Sequence, residues 1–430
     1  MNTDLFKFID GSPSPFHAVE QVKTKLKKNG FVELHESGIW NLEHEKKYFV
    51  TRNGTSLIAF TTPVSFDSLK ITAAHSDSPT FVIKENGLIN DKSINRLNVE
   101  KYGGMIMSSF FDRPLSLAGR VMSAKDGKIT SQLVNIDSDL LLIPNCAIHL
   151  NKDVNDGYKY KTQDDMFPVI GQSLKKLNLS DILKRQTAIA DEILGYDLYL
   201  YNRQKAGYWG MEKDFLYGPR IDNLESVYGI FEAFTKVQSK TSLNMAITFD
   251  NEEVGSSTKQ GADSTFLIDT LSRIKEKFGL TNEHYHRMIA RGMMVSCDNA
   301  HGYHPNYQSL YDQNAPKLNF GVVIKHNSNQ KYTTDSYSSA IFKSLLKMVD
   351  VPYQDYYNHS NQQGGSTLGN ISNTQLSLNT VDIGLAQWAM HSALESAGAK
   401  DLKYLVLGLV AFYRYDLDIQ GGTINIAKGV

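Results

Sequence analysis

Cysteine is nearly absent from this sequence: Cys146 and Cys297 are the only two in 430 residues, and they stand in no CxxC spacing. That excludes a disulfide framework and a thiolate-built zinc site, and it leads us to expect a reducing, cytoplasmic setting. Net charge is nearly absent too. Lysine and arginine number 45 against 46 aspartates and glutamates, a formal charge of −1, so bulk attraction to nucleic acid or to an anionic membrane is not expected. Long hydrophobic runs are also missing. The longest, Tyr404 to Tyr413, falls well short of the ~20 residues that a bilayer crossing needs. The opening MNTDLFKFIDG shows no basic stretch leading into an apolar run, so no secretory signal is expected. Internal repeats and low-complexity segments are absent as well.

What remains is the composition of a soluble globular protein, 41% hydrophobic and 21% charged. The length exceeds one ordinary core and predicts two domains, or one large domain carrying an insertion. Ser14-Pro15 reads as the start of a helix whose apolar residues Phe16, Val19, Val22 and Leu26 recur at helical spacing until Asn29-Gly30. Strands at 48–51 and 56–60 flank an Asn53-Gly54 turn, and LKITAA (69–74) predicts a buried third strand. From about Thr80 to about Gly218 short alternating segments dominate, including two strands around Asp126-Gly127, a helix expected over Ser180 to Leu194 and a strand at 196–201. After Gly218 helices and strands alternate. Helices are predicted over 224–237, 264–278, 336–348 and 403–413, with strands over 244–250, 292–298 and 377–383. That rhythm predicts an α/β fold, a mixed but mostly parallel sheet covered by helices on both faces, with a β-rich insertion.

Residues able to bind a hard or borderline metal stand at the ends of these apolar strands. LKITAA runs into His75-Ser76-Asp77, NMAITF into Asp250-Asn251-Glu252-Glu253, GMMVSC into Asp298, and SLNTVDI leads through a short loop to His391. Ligands bind outside the carboxyl ends of strands in open α/β sheets, so these residues are expected to share one crevice. Each has a plainer reading as a solvated loop, a helix cap or a hydrogen-bonded core histidine; their shared position favours the metal. Asp222, just ahead of an apolar-periodic helix, reads equally as an N-cap or as a carboxylate that bridges two metals.

Nitrogen and carboxylate donors without thiolates suit an open catalytic site for zinc, with manganese or cobalt as alternatives. Asp77 stands where it can accept the second ring N–H of His75 and fix its tautomer. Of two adjacent glutamates, one can bind metal while the other handles a proton of the attacking water; spacing alone does not say which. Two metals sharing a water would generate a nucleophile and stabilise a tetrahedral intermediate.

The segments AAHSDSP (73–79), FFDRPLSLAGRV (110–121), IPNCAIHLNKDVNDG (143–157), GPRIDNL (218–224), FDNEEVGS (249–256), SCDNAHGYHPNY (296–307), GGSTLG (364–369), VDIG (381–384) and MHS (390–392) occur in an order that resembles the M18 metallopeptidases, the aspartyl aminopeptidase family, nearly end to end. The resemblance implies a two-metal aminopeptidase acting on peptides with a free N-terminus. It implies His75, Asp222, Glu253, Asp298 and His391 as metal ligands, with Asp222 the bridge, Glu252 the general base and Asp77 the support behind His75. It further implies a catalytic domain formed by residues 1–80 and 219–430, interrupted by an insertion over 81–218 used for subunit contact, and assembly into a tetrahedral dodecamer enclosing a chamber. His149 and Asn151 are expected to be structural, and His301 and His304 to shape the pocket wall, His304 by hydrogen bonding. Two positions depart from the family. Ser108 stands where many members carry a histidine that reaches a neighbouring subunit, and Phe320 where acid-selecting members carry a lysine. Strict selectivity for acidic residues is therefore not expected, Lys317 and Arg220 being the substitutes considered. A carboxypeptidase or deacylase on the same core is the alternative enzyme. An inactive assembly protein is the non-enzymatic one, and it predicts missing ligands where all are present.

Overall fold

The strand Ser68–His75 is buried at all eight positions, as a strand covered by helices on both faces must be. In this computed structural model, which describes residues 1–172, 178–187, 189–362, 364–420 and 423–429, it is the middle strand of a nine-stranded sheet. The order across the sheet is Val32–Leu34, Lys47–Arg52, Ser56–Thr61, Ser242–Phe249, Ser68–His75, Met293–Cys297, Asn379–Gly384, Val322–His326 and Tyr353–Tyr357. The strands from Ser242–Phe249 to Asn379–Gly384 run parallel. Ser56–Thr61 and Val322–His326 pair antiparallel to that central group, so the sheet is mixed.

Alternation along the central strand divides the core. Leu69, Ile71 and Ala73 join a cluster with the helices Phe266–Lys277, Asn282–Ala290 and Leu368–Gln375. On the opposite face, Thr72 Oγ1 meets the Tyr413 hydroxyl at 2.6 Å. Lys70 Nζ donates to the Tyr413 and Tyr415 carbonyls. That face is covered by Pro15–Lys28, Ile221–Phe234, Ser336–Met348 and Asp401–Arg414. Period-two side-chain direction thus builds one hydrophobic core on each side of the sheet.

Between the central strand and the Ile221–Phe234 helix, residues 80–202 supply a six-stranded antiparallel sheet. Its order is Lys128–Asn135, Leu115–Lys125, Glu192–Asn202, Thr80–Asp91, Ile94–Tyr102 and Val169–Gln172. A separate core that includes Phe81, Leu117 and Leu198 lies beneath it. The expected turn at Asp126-Gly127 is present with φ of 50° and 75°, the positive pair a tight hairpin needs. The helix expected over 180–194 is shorter, Leu179–Gln186, and Ala188 lies outside the described residues. Thr187 closes it by donating both N–H and Oγ1–H to the Leu183 carbonyl, and Ile193 and Leu194 belong instead to the strand Glu192–Asn202.

A third sheet of five short strands, Gly207–Trp209, Phe215–Gly218, Glu395–Gly398, Ala386–Trp388 and Ala300–His301, has no counterpart in the sequence reading. Its strands have two to four residues, too few for periodicity to register.

Candidate metal centre

Three adjacent parallel strands deliver most of the predicted residues. His75 ends its strand, Asp298 directly follows Met293–Cys297, and Glu252 and Glu253 begin the short 3-10 turn after Ser242–Phe249. The other two arrive differently from expectation. His391 is not fed directly by the Asn379–Gly384 strand; it lies in the turn between Ala386–Trp388 and Glu395–Gly398 of the third sheet, with φ of 66°. Asp222 is not an N-cap. The capping position of the Ile221–Phe234 helix is Arg220, in left-handed conformation, and Asp222 has a non-helical ψ of 105°.

The side chains nevertheless meet. His75 Nε2 lies 3.5 Å from Asp222 Oδ1 and 3.5 Å from Asp298 Oδ1. His391 Nε2 lies 3.3 Å from Asp222 Oδ2 and 3.3 Å from Glu253 Oε1. Donor atoms of His75, Asp222 and Glu253 all fall within 4.8 Å of one another. Glu252 Oε2 stands 4.0 Å from His75 Nε2. Ligands at the usual ~2.0–2.1 Å from a tetrahedral zinc are roughly 3.3–3.4 Å apart, so these separations fit donors around such an ion. Asp222 Oδ1 is buried without a hydrogen-bond partner, which costs free energy unless a cation satisfies it.

The electrostatics agree with that fit. Burial lowers the tendency of His391 to protonate, but hydrogen bonds to Asp222 and Glu253 outweigh it and raise its pKa to about 12. Burial likewise opposes protonation of His75, and Asp222, Asp298 and Asp77 overcome it. Burial pushes Glu253 up to about 7 against the hydrogen bond from His391. It pushes Glu252 well above the usual carboxylate range, with His75 opposing and Asp298 and Glu253 reinforcing. Asp222 is held low because His391 and His75 outweigh its burial. A cluster that draws in protons this strongly is one that divalent cations can neutralise.

Supporting contacts hold these groups in place. Asp77 lies fully buried behind His75, with Oδ1 3.3 Å from Nδ1, while its backbone carbonyl is 3.1 Å from the same nitrogen. The Asp77 carboxylate also accepts the backbone N–H groups of Glu252 and Glu253 at 3.2 and 3.1 Å. Glu395, which the sequence reading missed, accepts the backbone N–H of Asp222 at 2.9 Å and that of His391 at 2.7 Å. It sits beyond any motif in the Glu395–Gly398 strand, and the only signal was a carboxylate four residues after His391. Buried Asp382 accepts from Thr333 N–H, Thr333 Oγ1 and Thr367 Oγ1, and so ties together two segments of the cleft wall.

The cleft around the cluster is lined also by His301, Lys325, Tyr332, Thr367 and Met390. His301 therefore belongs to the wall, as expected. His304 lies outside it, where Nδ1 accepts the Asn306 N–H. His149 and Asn151 lie in the inserted segment away from the cleft. Phe320 is 58% exposed and is not part of the cleft wall. Neither substitute considered lines the cleft: Lys317 stacks over Phe320, and Arg220 donates to the Ser12 and Ile9 carbonyls. The cation in the cleft is Lys325, whose Nζ lies 3.2 Å from Asp298 Oδ2.

Comparison with known proteins agrees with the fold and with zinc as the metal of the family. A family model described as "Aminopeptidase I zinc metalloprotease (M18)" matches residues 8–413. The chain is 41% identical over 95% of its length to a Clostridium novyi (strain NT) protein named "Probable M18 family aminopeptidase 2", covering 98% of that protein. A Pseudomonas putida (strain KT2440) protein of the same name is 39% identical, with 96% of this chain and 98% of that one covered. Among solved structures, the Ape4 and Nbr1 complex shows 34% identity and a TM-score of 0.91 over 96% of this chain and 85% of that one. The S. cerevisiae mApe1 dodecamer, 24% identical with a TM-score of 0.83 over 96% and 95% of the chains, shares the fold. Fold and site thus define a hydrolase of the zinc metalloprotease class. Within that class the chain belongs to the M18 family of aminopeptidases, which leaves the carboxypeptidase and deacylase alternatives without support.

Proposed function

We propose that the protein is a two-metal aminopeptidase that removes the first residue of peptides with a free N-terminus. The observation that carries this reading is that Asp222 presents one oxygen to each histidine, Oδ1 to His75 and Oδ2 to His391. His75, Asp222 and Asp298 would hold one ion, and His391, Asp222 and Glu253 the other. Such ions supply a nucleophilic water at neutral pH and polarise the scissile carbonyl. Glu252, uncommitted to either donor set and half-buried at the cleft, takes a proton from the attacking water and passes it to the leaving amine. Asp77 keeps His75 in the tautomer that leaves Nε2 free, the usual task of a carboxylate behind a metal-binding histidine. Strictly acidic selectivity is not part of this reading, because Lys325 in the cleft is buried and already paired with Asp298.

The catalytic unit is residues 1–80 and 219–430, and the insertion over 81–218, whose own sheet ends at Asn202 while Phe215–Gly218 pairs with Glu395–Gly398 of the catalytic part, provides subunit contacts in a dodecamer. Support comes from the fold shared with a dodecameric relative and from the separate core of the inserted sheet. A cytoplasmic setting fits the two free cysteines. Among the described residues no helix is long and apolar enough to cross a membrane.

The test is hydrolysis of aminoacyl chromogenic substrates, aspartyl and leucyl included, by zinc-loaded protein, alongside N-acetylated counterparts. Free amines should be cleaved, acetylated ones spared, and a chelator should abolish turnover. Cleavage of the acetylated peptides, or release from the C-terminus, overturns the reading.

A further inference from the structure

The inserted sheet does more than stand beside the cluster. Its strand Ile94–Tyr102 ends on Tyr102, whose hydroxyl donates to Asp77 Oδ2 at 2.7 Å and accepts from Asn251 Nδ2 at 2.8 Å. The chain then passes through Gly103 at φ 73°, a conformation that favours glycine, where a Cβ would lie a tight 3.2 Å from Glu253 Cβ. One residue on, the Gly104 carbonyl lies 2.8 Å from His391 Nδ1. The Ile106 N–H donates to the His391 carbonyl at 3.0 Å. Four residues of the insertion, Tyr102, Gly103, Gly104 and Ile106, therefore touch the surroundings of both histidines and one glutamate.

Within this arm Tyr102 has the sharpest consequence. Asp77 Oδ2 takes two bonds, the Glu253 amide and the Tyr102 hydroxyl, while Oδ1 takes the Glu252 amide and faces His75 Nδ1. A hydrogen bond to a buried carboxylate is of the stronger, charge-assisted kind. Without the phenol, two amide bonds and one imidazole contact would have to fix a fully buried carboxylate, and Asn251 Nδ2 would lose its acceptor. We propose that Tyr102 is a positioning residue for the metal centre. Through Asp77 it fixes the backbone of Glu252 and Glu253 and the ring of His75, making the inserted sheet a structural part of the catalytic machinery. This inference rests on the two-metal aminopeptidase reading above.

The experiment compares Tyr102→Phe, Asp77→Asn and the double variant, each zinc-saturated, with Tyr199→Phe as a control on the tyrosine that packs edge-on at 5.8 Å. Phenylalanine keeps the ring and removes only the hydroxyl. We expect Tyr102→Phe to lower kcat about tenfold or more, the scale typical of groups that orient metal ligands, with KM within about twofold of wild type and bound zinc unchanged. Tyr199→Phe should retain wild-type kcat. The loss should largely vanish when Tyr102→Phe is made in the Asp77→Asn background, because residues acting through one another are not additive; a purely structural contribution would not depend on Asp77. Should the phenylalanine variant fail to fold, Asn251→Gly removes the other partner of that hydroxyl without opposing the left-handed backbone at φ 62°, and kcat should again fall at constant KM. Wild-type kcat in Tyr102→Phe, or full additivity with Asp77→Asn, overturns the proposal. The underlying reading fails separately, if the wild-type protein shows no metal-dependent aminopeptidase activity.

Discussion

Glu395 accepts the backbone N–H of Asp222 at 2.9 Å across a sequence separation of 173 residues. The other oxygen of Glu395 accepts the His391 N–H, so one buried carboxylate sets the backbone on both sides of the contact between the two proposed ligands. Burial raises its pKa to about 8. Placing such a group inside the fold costs free energy, and its hydrogen bonds offset part of that cost.

Replacing Glu395 with Gln should therefore be destabilising despite the matching shape. The amide nitrogen would confront one of the two backbone N–H groups, leaving a buried donor unsatisfied at a cost of about 1–3 kcal/mol. Denaturant unfolding of zinc-loaded protein gives the value, and an unchanged midpoint would count against the clamp.

Glu252→Gln should lower kcat by at least ~10³-fold, the upper part of the range for losing a general acid–base, while bound zinc stays at the wild-type level. Turnover and metal analysis on one preparation decide it. Normal turnover in the metal-loaded variant removes Glu252 from the role proposed here.

Asp222→Ala should reduce bound zinc from about two ions per chain to less than one, because a shared carboxylate is lost from both donor sets. Asp298→Ala should lower only one of the two. Elemental analysis after dialysis checks both, and retention of two ions in the Asp222 variant would refute the bridge.

His17 gives a pH-dependent prediction away from the metal centre. Burial and the nearby Arg220 charge lower its pKa from 6.5 to about 4. The unfolded chain then binds more protons than the folded one between these values, so stability should fall as pH drops from 6.5 to 4. The loss is at most about 3 kcal/mol from this group. Unfolding free energies over that range should decline less steeply in His17→Asn, and equal slopes would contradict the assignment.

Much of the architecture was legible because its signals are local. LKITAA, NMAITF and MMVSC are short apolar runs that end at a donor residue, and the Asn53-Gly54 and Asp126-Gly127 turns carry their own backbone preference. The helix ending at Gln186 was overextended because the apolar residues that follow suit either a helix or the strand at Glu192, and partners from Leu115–Lys125 settle it as strand. Where the Phe320 side chain goes was not legible from its position in a motif; it is at the surface, while Lys325, five residues on, lines the cleft.

By itself, the sequence determined the chemistry available: imidazoles and carboxylates after buried strands, no thiolate pair, and adjacent glutamates able to divide two tasks. Only the tertiary structure decided how those groups are disposed. It turned one oxygen of Asp222 to each histidine, set Glu395 beneath two ligand backbones, and brought Tyr102 of the inserted sheet onto Asp77. The reason is physical. Periodicity and turn preference act over a few neighbouring residues, whereas a hydrogen bond of 2.7–2.9 Å between distant segments exists only after whole sheets have packed.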